Sequence, residues 1–239
     1  LSRLTLTDCI FDGAVFDNCI FGATDLSRSS FNGAVFTACE LEDPSFFWCR
    51  MEDTRFERCT STAVRFTHCR FVGATISGSI DGVRMRNCTL VGTRISDAVM
   101  NGFTVYFSSF NNCVIERTSM PEGTFGKVQM STCVLDRVVL WKTLAMKLTL
   151  QDCKFVAVGL NEGSVLGCAW HDTFFHGCRF RLLRKLMGSI TRCTFERCSF
   201  EETDLTVATY EDCRFLIPSH SEGTTWPEGM EPGTEPLPV

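Results

Sequence analysis

A period of five residues dominates this sequence and constrains its fold more than any other feature. It is clearest near the C-terminus, where large apolar residues recur at steps of five or of multiples of five, at Phe175, Phe180, Ile190, Phe195 and Phe200. An α-helix repeats every 3.6 residues and a β-strand every 2, so a sustained period of five fits neither element. The chain is therefore expected to form a repeat architecture.

The same period runs along almost the whole chain. Fifteen repeats extend from Leu6 to Ile76, one residue is then missing, and 28 repeats follow from Ile80 to Phe215. Of these 43 central positions 40 are large and apolar, and they hold 17 of the 21 phenylalanines. The exceptions are Ser61, Ala145 and Lys185. The missing residue is interpreted as a tightened corner and not as a domain boundary.

Each repeat has a second position that is expected to face inward. The residue two before the centre is small or compact in most repeats, and the other three positions are mostly polar. One large and one small inward residue in every five predict a chain that turns a corner at each repeat, so that four repeats close a coil of about 20 residues. Successive coils would stack as parallel strands about 4.8 Å apart. A core enclosed by such a coil explains why inward residues need not alternate.

The repeats at residues 14–18 (AVFDN), 69–73 (CRFVG) and 203–207 (TDLTV) carry a resemblance to a known family. They resemble the pentapeptide repeat family, whose loose consensus is a small residue, a polar one, Leu or Phe, and two polar ones. The resemblance covers about residues 4–217 and implies an all-β fold, a right-handed quadrilateral parallel β-helix of about 10–11 coils. This sequence departs from the commonest form of the consensus in its Phe centres and Cys neighbours.

The repeat pattern stops at Pro218, which suggests two regions. Residues 1–217 are predicted to form the β-helix. Residues 218–239 are rich in Pro, Gly, Ser, Thr and Glu, a composition that predicts a disordered tail. The sequence starts at Leu1 and not at Met, which suggests a processed product or a piece of a longer protein.

The cysteines are interpreted as packing residues. Fifteen cysteines could indicate a disulfide framework in a small secreted chain. All of them, however, occupy the small inward position, which is typical of Cys used as a compact buried hydrophobe. Free buried thiols favour a reducing compartment, and hence the cytoplasm, with a secreted effector as the alternative. No C-x-x-C spacing occurs, so neither a metal nor a cofactor is expected.

Charge and hydropathy argue against two classes of protein. The net charge is −5, and residues 216–239 hold four acids and no base, which leaves 24 acids against 23 bases in residues 1–215. A nearly neutral body argues against direct nucleic-acid binding, which needs a basic surface. No apolar run approaches the roughly 18–20 residues of a membrane span, and no signal peptide opens the chain.

No constellation of residues predicts catalysis. Nucleophile-elbow, zinc-protease and phosphate-loop motifs do not occur in the sequence. His171 and His176 follow successive centres, but no carboxylate pair converges on them, and both are interpreted as surface residues. The chain is therefore predicted not to be an enzyme.

Two groups of charged residues are candidates for partner binding. Burying the unpaired amine of Lys185 at a centre would cost several kcal/mol, so the segment 181–188 is predicted to loop outward. The cations that this loop would expose are Arg181, Arg184 and Lys185. The acidic candidates fall in two columns of the predicted coil, Asp12 with Glu52 and Asp17 with Glu57. The alternative is that all of them are ordinary solvated corner residues.

A smooth solenoid favours a non-catalytic scaffold that binds a protein partner. The family resemblance implies a more specific branch, whose members resemble a DNA duplex and protect DNA gyrase from drugs or toxins. A rod of about 50 Å would match about 15 base pairs, although a nearly neutral solenoid fits that branch poorly. The alternative is a docking or spacer module of a larger effector or multidomain protein. A homodimer through the ends of the solenoid is a further expectation, without nucleic-acid or membrane contact.

Overall fold

The five-residue repeat builds one side of a coil, and four sides complete a turn. The computed structural model describes residues 1–230, and in that range the chain contains no helix. Most strands are three residues long, with a buried apolar centre between two residues that face outward, as in Arg50–Glu52. The chain is a parallel β-solenoid of about 10 turns, which confirms the predicted all-β fold.

The strands are short and evenly distributed. The first eleven are β1 (Val15–Asp17), β2 (Ile20–Gly22), β3 (Val35–Thr37), β4 (Glu40–Glu42), β5 (Ser45–Phe47), β6 (Arg50–Glu52), β7 (Arg55–Ser61), β8 (Arg65–Thr67), β9 (Arg70–Val72), β10 (Thr75–Ile80) and β11 (Arg84–Arg86). The next eleven are β12 (Thr89–Val91), β13 (Arg94–Val99), β14 (Thr104–Tyr106), β15 (Ser109–Asn111), β16 (Val114–Glu116), β17 (Thr124–Gly126), β18 (Gln129–Ser131), β19 (Val134–Asp136), β20 (Val139–Trp141), β21 (Leu144–Met146) and β22 (Thr149–Gln151). The last eleven are β23 (Lys154–Val156), β24 (Gly159–Asn161), β25 (Ser164–His171), β26 (Phe174–His176), β27 (Arg179–Arg181), β28 (Lys185–Thr191), β29 (Thr194–Glu196), β30 (Ser199–Glu201), β31 (Thr209–Glu211), β32 (Arg214–Leu216) and β33 (Ser219–His220).

The strands stack in four columns, which define four faces of the rod. The first face is the unbroken series β1-β3-β7-β10-β13-β16-β19-β23-β26-β29-β32. The second face contains β2 and β4, the ends of β7, β10 and β13, and the series β20-β24-β27-β30-β33. The third face contains β5-β8-β11-β14-β17-β21 and the starts of β25 and β28. The fourth contains β6-β9-β12-β15-β18-β22, the ends of β25 and β28, and β31.

Residues that are 20 apart in the sequence lie side by side on neighbouring coils. Phe16 pairs with Phe36, and Phe36 pairs with Phe56. The predicted apolar column from Phe16 to Phe215 is continuous along the first face. Like residues therefore stack on like, and the centroids of neighbouring rings in the Phe16–Phe36–Phe56 stack are 4.7 Å apart.

The missing residue after Ile76 is a tightened corner, as predicted. Ile76 pairs with both Phe56 and Ile95, so the columns stay aligned across the shortened coil. The corner contains Gly78 at a φ of 118°, and a Cβ at this position would lie 2.2 Å from the carbonyl oxygen of Cys59. Glycine is needed here because a side chain would strain the backbone and collide with the preceding coil.

The predicted loop at residues 181–188 is wrong, although the exposure predicted for Lys185 is confirmed. Lys185 lies in strand β28, where it pairs with Ser164, and Leu186 takes the buried centre beside Val165. This coil contains one extra residue, because Lys185 follows its partner Ser164 by 21 residues and not by 20. The lysine therefore stands at an outward position and not at the centre. A shift of register by one residue avoids the cost of a buried amine without losing the strand pairing.

The extra residue is removed again at the next corner. Gly188 pairs with Cys168 and Ile190 pairs with Trp170, which restores the 20-residue step. Gly188 has a φ of 153°, and a Cβ there would lie 2.0 Å from the carbonyl oxygen of Cys168. The insertion and the tightened corner together confine the irregularity to one coil.

The solenoid extends beyond the predicted boundary at residue 217. Strand β33 pairs with β30, and the half-buried ring of Trp226 lies 5.2 Å from Phe200 and 5.3 Å from Phe215, measured between ring centroids. The expectation of disorder therefore fails for residues 218–230, because Trp226 supplies the apolar contact that composition alone does not reveal. The rest of the predicted tail, 231–239, lies outside the described residues.

Core packing loosens in the middle of the rod. An apolar cavity of about 40 Å³ lies where the central residue of one repeat shrinks to Ala145. Trp170 lines this cavity, and its buried indole Nε1 has no hydrogen-bond partner. A smaller apolar cavity, of about 10 Å³, lies among Phe56, Phe66 and Ile76.

Candidate partner-binding surface

Of the predicted acidic residues of the fourth face, Asp12 accepts corner hydrogen bonds through its carboxylate and Glu52 donates one through its backbone. Asp12 Oδ1 accepts hydrogen bonds from Asn32 N at 2.9 Å and from Ser30 Oγ at 2.5 Å. In the next coil, Asn32 Oδ1 accepts one from Glu52 N at 3.0 Å, and the Glu52 carboxylate lies 3.8 Å from Arg70. This ladder ties neighbouring coils together, which gives Asp12 and the backbone of Glu52 a structural role.

The other predicted residues do not converge on the acidic pair either. Asp17 and Glu57 stand on the first face. Arg181 stands on the second face, with its guanidinium 3.5 Å from Glu201. Arg184 and Lys185 are exposed on the third face. The seven predicted residues are therefore spread over four faces and form no single site.

The third face and the corner that follows it carry a surface that the sequence analysis missed. We call the outward residues between Ser45 and Met187 on this face the aromatic–basic surface. Its cations are Arg65, Arg84, Arg86, Lys127, Lys147, Arg184 and Lys185, and no Asp or Glu stands at an outward position of the face in this interval. Its aromatic residues are Phe47, Trp48, His68, Tyr106 and Phe107.

At one end of this surface three aromatic side chains form a cluster. The ring of Trp48 stacks on that of His68 with a centroid distance of 4.5 Å and an interplanar angle of 4°. Phe47 packs edge-on against both, at 5.9 Å from Trp48 and 5.6 Å from His68. Trp48 nevertheless remains 57% exposed. A large apolar ring held rigid but solvent-accessible is typical of a binding surface.

In the middle of the surface two cations flank an aromatic ring. The guanidinium of Arg86 lies 5.7 Å from the Phe107 ring centroid, and Lys127 Nζ lies 4.9 Å from it. Tyr106 lies over Gly126 of the next coil, where a Cβ would be 2.2 Å from the tyrosine ring. Cation–π contact orients the two charges, and the missing Cβ of Gly126 lets Tyr106 lie flat along the face.

At the other end the surface is aliphatic and surrounded by charge. Leu144, Met146 and Leu166 are half-buried, and Met187 is exposed, on three successive coils. Lys147, Arg184 and Lys185 lie around them and are exposed. Arg65 at the opposite end pairs with Asp43, whereas the other six cations of the surface form no ion pair with any described residue.

This surface could have been recognised in the sequence. Writing the outward positions of each repeat in four separate columns of 20-residue period places all these residues together. A summed charge of nearly zero conceals them, because the acids of the other three faces balance the cations of this one.

The thiols occupy the positions predicted for them. Twelve of the 15 cysteines are buried, and the three half-buried ones, Cys9, Cys19 and Cys213, lie towards the two ends of the described rod. Interior thiols donate to the preceding coil, as Cys59 Sγ does to the carbonyl oxygen of Phe36 at 3.3 Å. Burial raises the pKa of the Cys59 thiol to about 11.

Other kinds of site have no support within residues 1–230. No group of three or more His, Cys, Asp and Glu side chains in that range could hold a metal ion. His171 and His176 are half-buried at the surface, and His176 Nδ1 lies 3.3 Å from a carboxylate oxygen of Glu196. No helix in the described range is long and apolar enough to cross a membrane.

Comparison with known proteins agrees with this geometry. The profile of the family described as pentapeptide repeats matches residues 1–37 with eight copies. The solved structure of HetL, a pentapeptide repeat protein from the cyanobacterium Nostoc sp. strain PCC 7120, is similar over 96% of this chain and 90% of its own, with a TM-score of 0.55 and 10% identity. Residues 1–37 therefore match the pentapeptide repeat family, and the described chain shares the fold of a pentapeptide repeat protein.

Weaker likenesses to other solved structures are also found. Full-length QnrB1, a plasmid-mediated fluoroquinolone resistance protein, aligns over 90% of this chain and 92% of its own at 16% identity, with a TM-score of 0.37. The periplasmic alginate epimerase AlgG aligns over 89% of this chain and 70% of its own at 8% identity, with a TM-score of 0.42. No curated protein matches the sequence.

Proposed function

We propose that this chain is a non-catalytic scaffold that binds a protein partner through its aromatic–basic surface. The observation that carries the proposal is a face of a rigid rod that carries seven cations and five aromatic side chains but no Asp or Glu at its outward positions between Ser45 and Met187. Aromatic residues, Met and Arg are enriched in protein interfaces relative to the rest of protein surfaces. Trp, Tyr and Arg are also the residues that most often dominate binding energy.

The rigidity of the face supports this role. Its outward side chains stand on strands whose backbone pairs with the coils before and after, as Arg84–Arg86 does with β8 and β14. A surface that is already ordered before binding loses little conformational entropy in the complex. A flat face with a cluster of anchors is therefore suited to docking and not to enclosing a small substrate.

Site-directed photocrosslinking in the native host tests the proposal. A benzoylphenylalanine at position 107 should crosslink to a specific protein, whereas the same probe at Val114 on the first face should not. Equal crosslinking from both positions, or crosslinking from neither, would contradict a protein-binding role for this surface.

A second candidate is binding to DNA gyrase through an acidic face. The second face and its following corner carry nine acids, namely Glu40, Glu42, Asp43, Asp81, Glu122, Glu162, Glu201, Glu202 and Glu222, against the bases Arg3, Lys142, Arg179 and Arg181. Eleven strands stack along the first face, which corresponds to a rod of about 50 Å at the usual strand spacing. Such an acidic face could follow a groove that normally holds a duplex, whereas the third face has the opposite charge.

A supercoiling assay with purified gyrase tests this second candidate. The full chain should inhibit supercoiling, or protect it from a quinolone, at micromolar concentration. Reversing Glu40 and Glu42 to Lys should abolish the effect, while Glu116→Lys on the first face should not. Unchanged supercoiling and unchanged cleavage complexes would remove the gyrase candidate and leave the first proposal standing.

The context in which the surface acts is also a proposal. The free buried thiols favour a reducing compartment such as the cytoplasm. The same face could serve as a docking module within a larger effector or multidomain protein. The full open reading frame would decide between a separate scaffold and such a module.

A further inference from the structure

We propose that the partner of the aromatic–basic surface is an acidic protein surface that combines carboxylates with apolar side chains. This inference rests on the proposed protein-binding function and adds the chemistry of the partner. Three features of the surface support it: the unpaired cations, the aliphatic side chains that lie among them, and the side chains that contact the aromatic rings.

Charge favours an acidic partner. Six of the seven cations form no ion pair with a described residue, and the face offers them no carboxylate between Ser45 and Met187. With Arg65 included, the seven cations extend over seven coils, or about 29 Å from the first coil to the last at the strand spacing. An isolated positive field of this length attracts a negative partner and repels a positive one.

The apolar residues indicate that charge is not the only feature recognised. Met187 is 39% exposed and stands beside Leu166, with Leu144 and Met146 on the neighbouring coil. These aliphatic side chains can gain free energy only against other apolar groups. The partner must therefore bring carboxylates and apolar side chains together.

The aromatic rings favour protein over single-stranded nucleic acid. Non-specific binding of single strands relies on bases that stack on open ring faces. The Phe107 ring is contacted by Arg86 and Lys127, and Trp48 is stacked on His68. Both rings therefore already have polar or charged partners on them, which leaves fewer open ring faces on which bases could stack.

Fluorescence anisotropy with defined probes tests the inference on the full chain. The first probe is a labelled acidic amphipathic peptide in which Leu and Phe form one stripe and Glu fills the remaining positions. The comparison probes are polyglutamate, the same amphipathic peptide with Lys in place of Glu, and oligo(dT). The acidic amphipathic peptide should bind most tightly, and its affinity should fall at least about tenfold between about 50 and 300 mM salt.

Matched variants locate the binding. The double variant Arg84→Glu/Arg86→Glu should lower the affinity for the acidic peptide at least about tenfold. Met187→Ser should also lower this affinity, but without changing its dependence on salt. The control Arg55→Glu/Lys154→Glu reverses two exposed cations of the first face and should leave affinity within about twofold. Circular dichroism and thermal melting check that all variants remain folded.

Three outcomes would overturn the inference. Tighter binding of oligo(dT) would assign the surface to nucleic acid, and equal binding of polyglutamate would leave no role for the apolar residues. Binding of the Lys peptide at least as tight as that of the Glu peptide would remove the acidic partner. Crosslinking from position 107 tests protein binding independently of the peptide experiments. A failure of the acidic-partner inference can therefore be distinguished from a failure of the proposed protein-binding function.

Discussion

Two regions of this rod share one backbone and differ in how their cores are filled. In residues 11–71, the aromatic segment, phenyl rings stack from coil to coil, and Phe31, Phe36 and Phe46 are fully buried. In residues 125–183, the cavity segment, neighbouring centres differ in size, and a cavity of about 40 Å³ lies beside Ala145. The strand register of both segments is nevertheless the same.

This difference separates two requirements that a repeat sequence must meet. Closing the coil needs only an apolar residue at each centre, because the backbone pairs with the next coil whatever that residue is. Tight packing needs residues of similar size along each column, since a small residue between larger ones leaves a void whose lining loses its contacts. The five-residue period therefore specifies the fold, while the sequence along the columns specifies how well the interior is filled.

The largest effect is expected from deleting a ring in the aromatic segment. Phe36 is fully buried, and its ring centroid is 4.7 Å from those of both Phe16 and Phe56. Phe36→Ala should lower the free energy of unfolding by about 3–5 kcal/mol, as measured by urea denaturation. Leu150→Ala in the cavity segment should lower the free energy of unfolding by less, about 2–3 kcal/mol, because the side chains around the cavity can collapse more easily. Equal losses would contradict the packing difference between the segments.

Alkaline pH should reveal the buried thiol of Cys59, one of four in the aromatic segment. Burial raises the pKa of Cys59 from the ordinary 9.0 to about 11 in the folded chain. Below pH 9 this thiol is neutral in both states and its contribution is complete. Between pH 9 and 11 the unfolded chain releases the proton more readily, so stability must fall with rising pH.

Urea denaturation at pH 8 to 11, with a reductant present, measures how the free energy of unfolding changes with pH. The variant Cys59→Ala should be less stable than the wild type at pH 8 and should lose less stability on going to pH 11. Cys213→Ala, which changes a half-buried thiol near the end of the rod, serves as the comparison. A wild-type slope that is unaffected by Cys59→Ala would show that this thiol titrates normally.

The sequence predicts the fold far better than the surface, for a physical reason. The inward positions obey a strict period because every coil must fill the same interior, and this is why the column from Phe16 to Phe215 could be assigned in advance. Outward positions obey no such constraint. Arg84 and Phe107 become neighbours of one surface only when the four faces are separated, and a nearly neutral total charge conceals their grouping.

Two local predictions failed because single residues changed the outcome. Composition around Pro218 predicts a flexible chain, but one aromatic residue, Trp226, packs on Phe200 and Phe215. The polar centre at Lys185 predicts a loop, but Leu186 directly after it fills the same column after a shift of one residue. The five-residue period shows where the pattern is broken, but it does not show which neighbouring residue takes the vacant central position.

A moderate gain in stability is expected from filling the cavity segment. Ala145→Leu should raise the free energy of unfolding by about 1 kcal/mol, because it fills space that the backbone already encloses. Leu26→Phe in the tightly packed aromatic segment is the control, and overpacking there should cost about 1–3 kcal/mol. Thermal unfolding of both variants measures the difference, and a loss of stability with Ala145→Leu would mean that the cavity cannot accept a larger side chain.

The smallest effect is expected in the coil where the register shifts by one residue, at Lys185 and Leu186. Lys185 is exposed in strand β28, while Leu186 occupies the core beside Val165. Lys185→Leu should therefore change the free energy of unfolding by less than about 0.5 kcal/mol, whereas Leu186→Ala should remove about 2–5 kcal/mol. If Lys185→Leu stabilised the chain strongly, position 185 would occupy the core and the one-residue shift of register would be wrong. If stability is unchanged but the acidic peptide binds more weakly, Lys185 belongs to the partner-binding surface and has no part in the core.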